Sequence, residues 1–112
     1  MKVIASSSPF GSRARTRSLL VLRLLTESYA REIAPIAELS LSSVQKGLQS
    51  LERDGLVAAR TVGRTRLYRI APSAYARREL DAYLDRLVAI EEGLRLRGQR
   101  MRRRPRVTGK PL

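Results

Sequence analysis

The chain has 112 residues, 43% hydrophobic but only 4% aromatic, and 23 Lys and Arg against 10 Asp and Glu give a formal net charge of +13. That length suits one domain with a single core of Leu, Ile, Val and Ala, and the hydrophobic share is too high for a disordered basic tail. The absence of Cys and His excludes disulfide frameworks, thiolate and imidazole metal sites, Cys or His nucleophiles and imidazole pH switching.

The first predicted element is a helix over residues 12–26, with Ser12 as N-cap and Leu19, Leu20, Leu22, Leu24 and Leu25 forming a wide apolar face. A second, short helix is expected over residues 29–38, where Ile33, Ala34 and Ala37 share a face. Pro35 should shorten, delay or kink it. The third helix is the best defined. Ser40 caps it, Val44, Leu48 and Leu51 make one apolar face, and Asp54-Gly55 ends it. Its other face carries Ser42, Gln45, Lys46, Gln49 and Arg53 at i, i+3, i+4, i+7 and i+11.

After Gly55 the period changes from helical to alternating. Residues 56–62 and 65–70 read as two strands joined by a Gly63-Arg64 turn, with Tyr68 and Ile70 pointing into the core. Arg60, Arg64 and Arg66 crowd the hairpin end, an arrangement suited to something negative. Pro72-Ser73 is expected to open a long last helix, capped by Ser73 and running to about Arg97. Within it Ala76, Leu80, Tyr83, Leu87, Ile90 and Leu94 follow a heptad seam, widened by Leu84 and Val88, which points to a homodimer. Beyond Gly98 an arginine-rich tail is expected to be disordered.

Charge is blocked along the chain: +4 over residues 1–29, −1 over 30–59, +4 over 60–70, −2 over 71–94 and +8 over 95–112. Acid-poor blocks separated by near-neutral stretches point to a polyanion touched at several places, with nucleic acid the first choice. The carboxylates mostly alternate with arginine at helix-surface spacing, and no phosphate-cradling glycine loop is present, so no catalysis and no cofactor are expected. No run approaches the roughly 18 apolar residues of a membrane span, and residues 1–9 lack a secretory pattern. The expected location is the cytoplasm, with no membrane partner.

The element order, together with Arg31-Glu32-Ile33-Ala34, Leu41-Ser42-Ser43-Val44-Gln45-Lys46, Leu51-Glu52-Arg53-Asp54-Gly55-Leu56-Val57 and Val62-Gly63-Arg64-Thr65-Arg66-Leu67-Tyr68, resembles the winged helix-turn-helix domains of ArsR/MarR-like transcription regulators over residues 10–97. The resemblance implies an α+β fold, mainly α with a small β-hairpin wing and a long C-terminal helix. The chain then divides into a flexible start (1–9), the winged helix-turn-helix domain (10–72), a dimerisation helix (73–98) and a disordered basic tail (99–112). The recognition helix corresponds to Leu41–Arg53 and the wing tip to residues 63–66. Glu38 departs from the pattern, standing where the family commonly has a turn glycine. Pro35 and Gly47 replace helix formers, and Gly47, on the Val44/Leu48 side, reads as a site of close helix packing.

The expected partner is double-stranded DNA, read by a homodimer without metal. Ser42, Ser43, Gln45, Lys46, Gln49 and Arg53 would face the major groove, where Gln suits adenine and Lys guanine. Arg60, Arg64, Thr65 and Arg66 would form a wing at the minor groove, and Arg13, Arg15 and Arg17 would touch phosphates. The dimer seam would be Leu80, Tyr83, Leu87, Ile90 and Leu94. Two alternatives stand beside a sequence-specific regulator: an architectural, non-specific DNA binder dominated by the tail, and a winged-helix module that binds protein or RNA.

Overall fold

Ser12 is extended, with φ −139°, and its Oγ accepts a hydrogen bond from the Arg15 N–H at 3.1 Å, the N-cap expected of it. Helix α1, Arg13–Leu25, follows. Every residue from Thr16 to Leu22 is at most 4% exposed, so α1 is covered on all sides and not along a single stripe. It forms the axis of the domain. The computed structural model describes residues 8–103 and arranges five helices and one antiparallel hairpin around that axis, the α+β architecture expected from the sequence.

Helix α2, Ala30–Ala37, contains Pro35 and ends two residues after it. A proline removes one backbone bond and crowds the preceding turn, and α2 is only 8 residues long. Its exit is a Schellman turn: the Glu38 N–H donates to Pro35 O at 3.3 Å and the Leu39 N–H to Ala34 O at 3.0 Å. Glu38 sits at φ 59°, ψ 48°, the left-handed position where glycine is usual. A side chain there costs about 1–2 kcal/mol. The carboxylate offsets part of that cost by meeting the Arg97 guanidinium at 3.3 Å.

Helix α3, Leu41–Arg53, starts on Ser40, whose Oγ accepts from the Ser43 N–H at 3.1 Å. Val44, Gly47, Leu48 and Leu51 are buried against the rest of the domain. A Cβ on Gly47 would lie 3.1 Å from both the carbonyl carbon and the Cβ of Ala14. The glycine thus allows α1 and α3 to approach closely, as its position on the apolar side predicts. Gly55, at φ 81°, ends α3 with a second Schellman turn, in which the Leu56 N–H donates to Leu51 O at 3.0 Å.

Strands β1, Val57–Val62, and β2, Thr65–Ile70, pair from Val57↔Ile70 to Val62↔Thr65 around the two-residue Gly63-Arg64 turn. Val57, Tyr68 and Ile70 are buried. Ser28, between α1 and α2, adds a short rung by exchanging two backbone bonds with Tyr68, at 3.0 and 2.7 Å.

The C-terminal part corrects two expectations. Ser73 does not cap a helix: residues 72–76 form turns that bury Ala74 beside Ala71, and helix α4 is Arg77–Ile90. Nor is there one long helix. Glu91 (φ −91°, ψ 69°) ends α4, and its carbonyl then accepts from Leu94 and Arg95 N–H groups at the start of helix α5, Glu92–Arg103. The break returns α5 to the domain, burying Leu94 completely and setting Gly98 so close that a Cβ would lie 2.5 Å from Leu24 Cδ2. Residues 99–103, expected to be disordered, are therefore helical. The rest of the expected tail, 104–112, and residues 1–7 of the expected flexible start lie outside the described residues. Among the described residues no helix is long and apolar enough to cross a membrane.

Gly47→Val should force α1 and α3 apart and lower stability by about 1–3 kcal/mol in urea denaturation. Gly47→Ala should lose less, because the added methyl group brings back roughly 1 kcal/mol of helix propensity.

Candidate nucleic-acid interface

Helix α3 turns its polar face outward. Ser42, Gln45, Lys46, Gln49 and Arg53 are all exposed, while Ser43 is half-buried and tied to the cap by a 2.9 Å bond from Ser40. The face is the complement of the buried Val44/Gly47/Leu48/Leu51 side, so burying one dictates exposing the other. Beside it runs a groove of about 370 Å³ walled by the start of α2, by α3 and by the hairpin, and lined among others by Tyr29, Arg31, Gln45, Gln49, Arg64 and Arg66. Sequence reasoning missed Tyr29 and Arg31. Their signal was positional: they begin the helix whose end turns directly into α3.

The hairpin arginines do not act as one cluster, because strand side chains alternate between faces. Arg66 shares the inner face with Tyr68, lies 5.8 Å above that ring and is held by Glu52 of α3 at 2.7 Å. The Glu52 charge raises its pKa. Arg60 belongs to the outer face, where its guanidinium grips Glu27 with two bonds of 2.9 and 3.0 Å. That fork lowers the Glu27 pKa, so the pair persists below the ordinary carboxylate range and is lost only as pH falls through the lowered value. Arg64 and Thr65, at the tip, are exposed, and Arg64 has no ion-pair partner among the described residues.

The three arginines expected on phosphates separate as well. Arg13 is exposed. Arg15 is half-buried and held by its own chain, donating to Phe10 O at 2.6 Å, Ser50 Oγ at 2.6 Å and Asp54 Oδ2 at 2.7 Å, and so joins the start of α1 to the end of α3. Arg17 is only 4% exposed and points inward, donating to Ala37 O at 2.7 Å and Glu91 Oε1 at 3.4 Å. A helical face that sequence reads as basic is in part a set of guanidinium groups satisfying carbonyls and carboxylates.

Solved structures share this arrangement. Reduced HlyU from Vibrio cholerae N16961 superimposes with a TM-score of 0.56 and 28% identity, over 79% of this chain and 85% of its own. A possible transcriptional regulatory protein from Mycobacterium bovis, a fragment of residues 1–100, gives a TM-score of 0.50 and 30% identity over 74% of this chain and 97% of its own. The chain belongs to the winged-helix transcriptional regulators. No family model matches its sequence, and no curated protein matches at a significant level.

In this winged-helix regulator α2 and α3 are the two helices joined by the tight turn at Glu38, and the β1–β2 hairpin is the wing. The expected dimer seam is not one free surface. Leu87 and Leu94 are 3% and 0% exposed and belong to the protein's own core, and Leu80 is half-buried against it. Tyr83 and Ile90 remain outside at 46% and 57%, seven residues apart on one face of α4. Within α4, Leu80 and Leu87 lie on the side that packs on the core with Leu84 and Val88, and the helix break at Glu91 lets α5 turn Leu94 inward as well.

Arginines from α5 were also missed as structural parts of the regulator. Arg97 Nε donates to Ile36 O at 2.9 Å, and Arg102 donates to Glu27 O at 2.7 Å and Leu25 O at 3.3 Å. Both therefore satisfy carbonyls at or just beyond the C-terminal ends of helices, where positive charge is favourable. Arg17→Met should destabilise the fold by about 2–3 kcal/mol, because Ala37 O and Glu91 lose a charged donor in a buried setting. The exposed Arg13→Met should stay within about 0.5 kcal/mol, and paired thermal melts would measure both.

Proposed function

We propose that this winged-helix regulator binds double-stranded DNA sequence-specifically as an ArsR/MarR-like homodimer, with α3 in the major groove and the wing at the minor groove. The observation that carries the reading is the exposed row Ser42, Gln45, Lys46, Gln49 and Arg53 on α3, flanked by Arg31 and Arg64 along one groove. A helix of this width fits the major groove, and amide, hydroxyl and ammonium groups at that spacing meet base edges. Arg64 at the tip of a narrow hairpin suits the focused negative potential of a minor groove. Arg31 and Arg13 are the phosphate contacts this reading favours, in place of Arg15, which its own chain engages, and the inward-turned Arg17.

Selection from a random DNA pool at physiological salt should yield a preferred site. Gln45→Ala and Lys46→Ala should each change the preferred base at one position, at about 1–3 kcal/mol. Arg64→Gln should instead weaken binding to every sequence and reduce the salt dependence by about one phosphate. If Gln45→Ala and Lys46→Ala left the preference untouched, α3 would not be the reading element.

The dimer is expected through Tyr83 and Ile90, the exposed members of the heptad row, with half-sites about one helical turn, roughly 10 bp, apart. Ile90→Asp should then produce monomers in sedimentation that keep the wild-type helical content, with a melting temperature that no longer depends on protein concentration. A wild-type chain that stays monomeric at tens of micromolar would exclude this assembly.

A further inference from the structure

A second cleft, of about 440 Å³, lies between the end of α1, the outer face of the hairpin and the start of α4. The groove beside α3 opens on the inner face of the hairpin, with Arg66 and Tyr68. This cleft lies on the outer face instead, since Arg60 and Arg69 alternate with those residues along the strands. Its wall holds four arginines, Arg23, Arg60, Arg69 and Arg77, and one carboxylate, Glu27.

Three of these guanidinium groups are fixed before anything binds. Arg77 donates to Ala71 O at 3.0 Å, Ile70 O at 3.3 Å and Asp81 at 2.8 Å. Arg23 forks onto Asp85 at 2.7 and 3.0 Å, and Arg60 forks onto Glu27 as described. Arg69 is exposed and has no hydrogen-bond or ion-pair partner among the described residues. Fixed guanidinium forks lose little freedom when they take a planar anion, and their geometry matches carboxylate and phosphate oxygens. Glu27 already occupies one such position, and Arg60 and Arg69 both lower its pKa, so the wall stabilises negative charge there. The volume falls in the range of small-molecule sites, roughly 300–1,000 Å³.

We propose that this cleft binds a small molecule with two or more anionic groups, a polycarboxylate or a phosphate ester, one group held by Arg69 and another displacing Glu27 from Arg60. Arg60 and Arg69 both belong to the wing, whereas Glu27 lies just past the end of α1, so an occupant that displaces Glu27 releases the fork joining the wing to the helical body. On the DNA-binding reading above, that release would alter how the wing meets DNA and make the cleft a regulatory site.

The test is calorimetric titration of the full chain at about 0.15 M salt with citrate, with pyrophosphate and with acetate as a single-charge control. Saturable one-to-one binding of citrate or pyrophosphate, and none of acetate, is expected; which of the two binds separates carboxylate from phosphate chemistry. Arg69→Gln should weaken it about tenfold, the loss of one charge-assisted contact, whereas Arg64→Gln on the other side should leave it within about twofold. Glu27→Gln should tighten it severalfold by removing the competing carboxylate. Thermal melts establish that each variant folds. No saturation, equal weakening by Arg69→Gln and Arg64→Gln, or no tightening in Glu27→Gln would overturn the site, because anions would then gather diffusely around a basic protein. A duplex titrated against the same variants supplies the last arm: if Arg69→Gln weakened DNA binding as much as Arg64→Gln, the cleft would belong to the DNA surface and the proposal would fall. The small-anion arm needs no DNA, so its failure and that of the DNA-binding reading are separable.

Discussion

Helix α2 ends inside the protein, with Ile36 and Ala37 fully buried, and two carbonyls of its last turn are met by guanidinium groups from opposite ends of the sequence. Arg17 of α1 takes Ala37 O at 2.7 Å and Arg97 of α5 takes Ile36 O at 2.9 Å. A buried carbonyl without a donor costs about 1–3 kcal/mol, and a cation at a helix C-terminus is stabilising besides. Ser40, the cap of α3, follows only three residues after Ala37, so the same two contacts set where the exposed polar face begins. The Glu38 backbone, in a conformation unfavourable for its side chain, is held in place by the same arrangement, since Arg97 also reaches the Glu38 carboxylate.

Much of the formal charge of +13 is thus structural. Arg15, Arg17, Arg23, Arg60, Arg66, Arg77, Arg97 and Arg102 bond to carboxylates or backbone carbonyls of the same chain. Arg13, Arg31, Lys46, Arg53 and Arg64 are exposed around α3 and the wing tip. Arg66 stands between the two groups. Its ion pair with the half-buried Glu52 is open to solvent, and such surface pairs contribute little, so a competing phosphate could replace the carboxylate at small cost.

Local rules made the first two thirds of the fold legible. Ser12 and Ser40 as caps, Gly55 as terminator, Gly47 as a packing site and the Gly63-Arg64 hairpin all depend on a few neighbouring residues, and all are present. The polar face of α3 was legible for the same reason. The errors share another cause. Whether Arg15 or Arg17 faces solvent depends on Asp54 and Glu91, 39 and 74 residues away, and no helical periodicity contains that information. The heptad row in α4 and α5 was a sound pattern, but α4 lays Leu80 and Leu87 against the chain's own core and the break at Glu91 sends Leu94 there too, leaving Tyr83 and Ile90 outside. Arg60 was grouped with Arg64 and Arg66 by sequence proximity, although the two-residue period of a strand divides them.

The complete enclosure of α1 bears on how this protein reaches its folded state. Its leucine-rich middle packs against α3, the wing, α4 and α5, elements that leave the ribosome long after α1 itself. Until residues near 94–101 have emerged, the buried leucine-rich middle of this helix lacks part of its cover, and no earlier fragment encloses it. Acquisition of structure should therefore be late and all-or-none, with contacts of long sequence separation forming together, and until then the leucine-rich middle of α1 stays exposed.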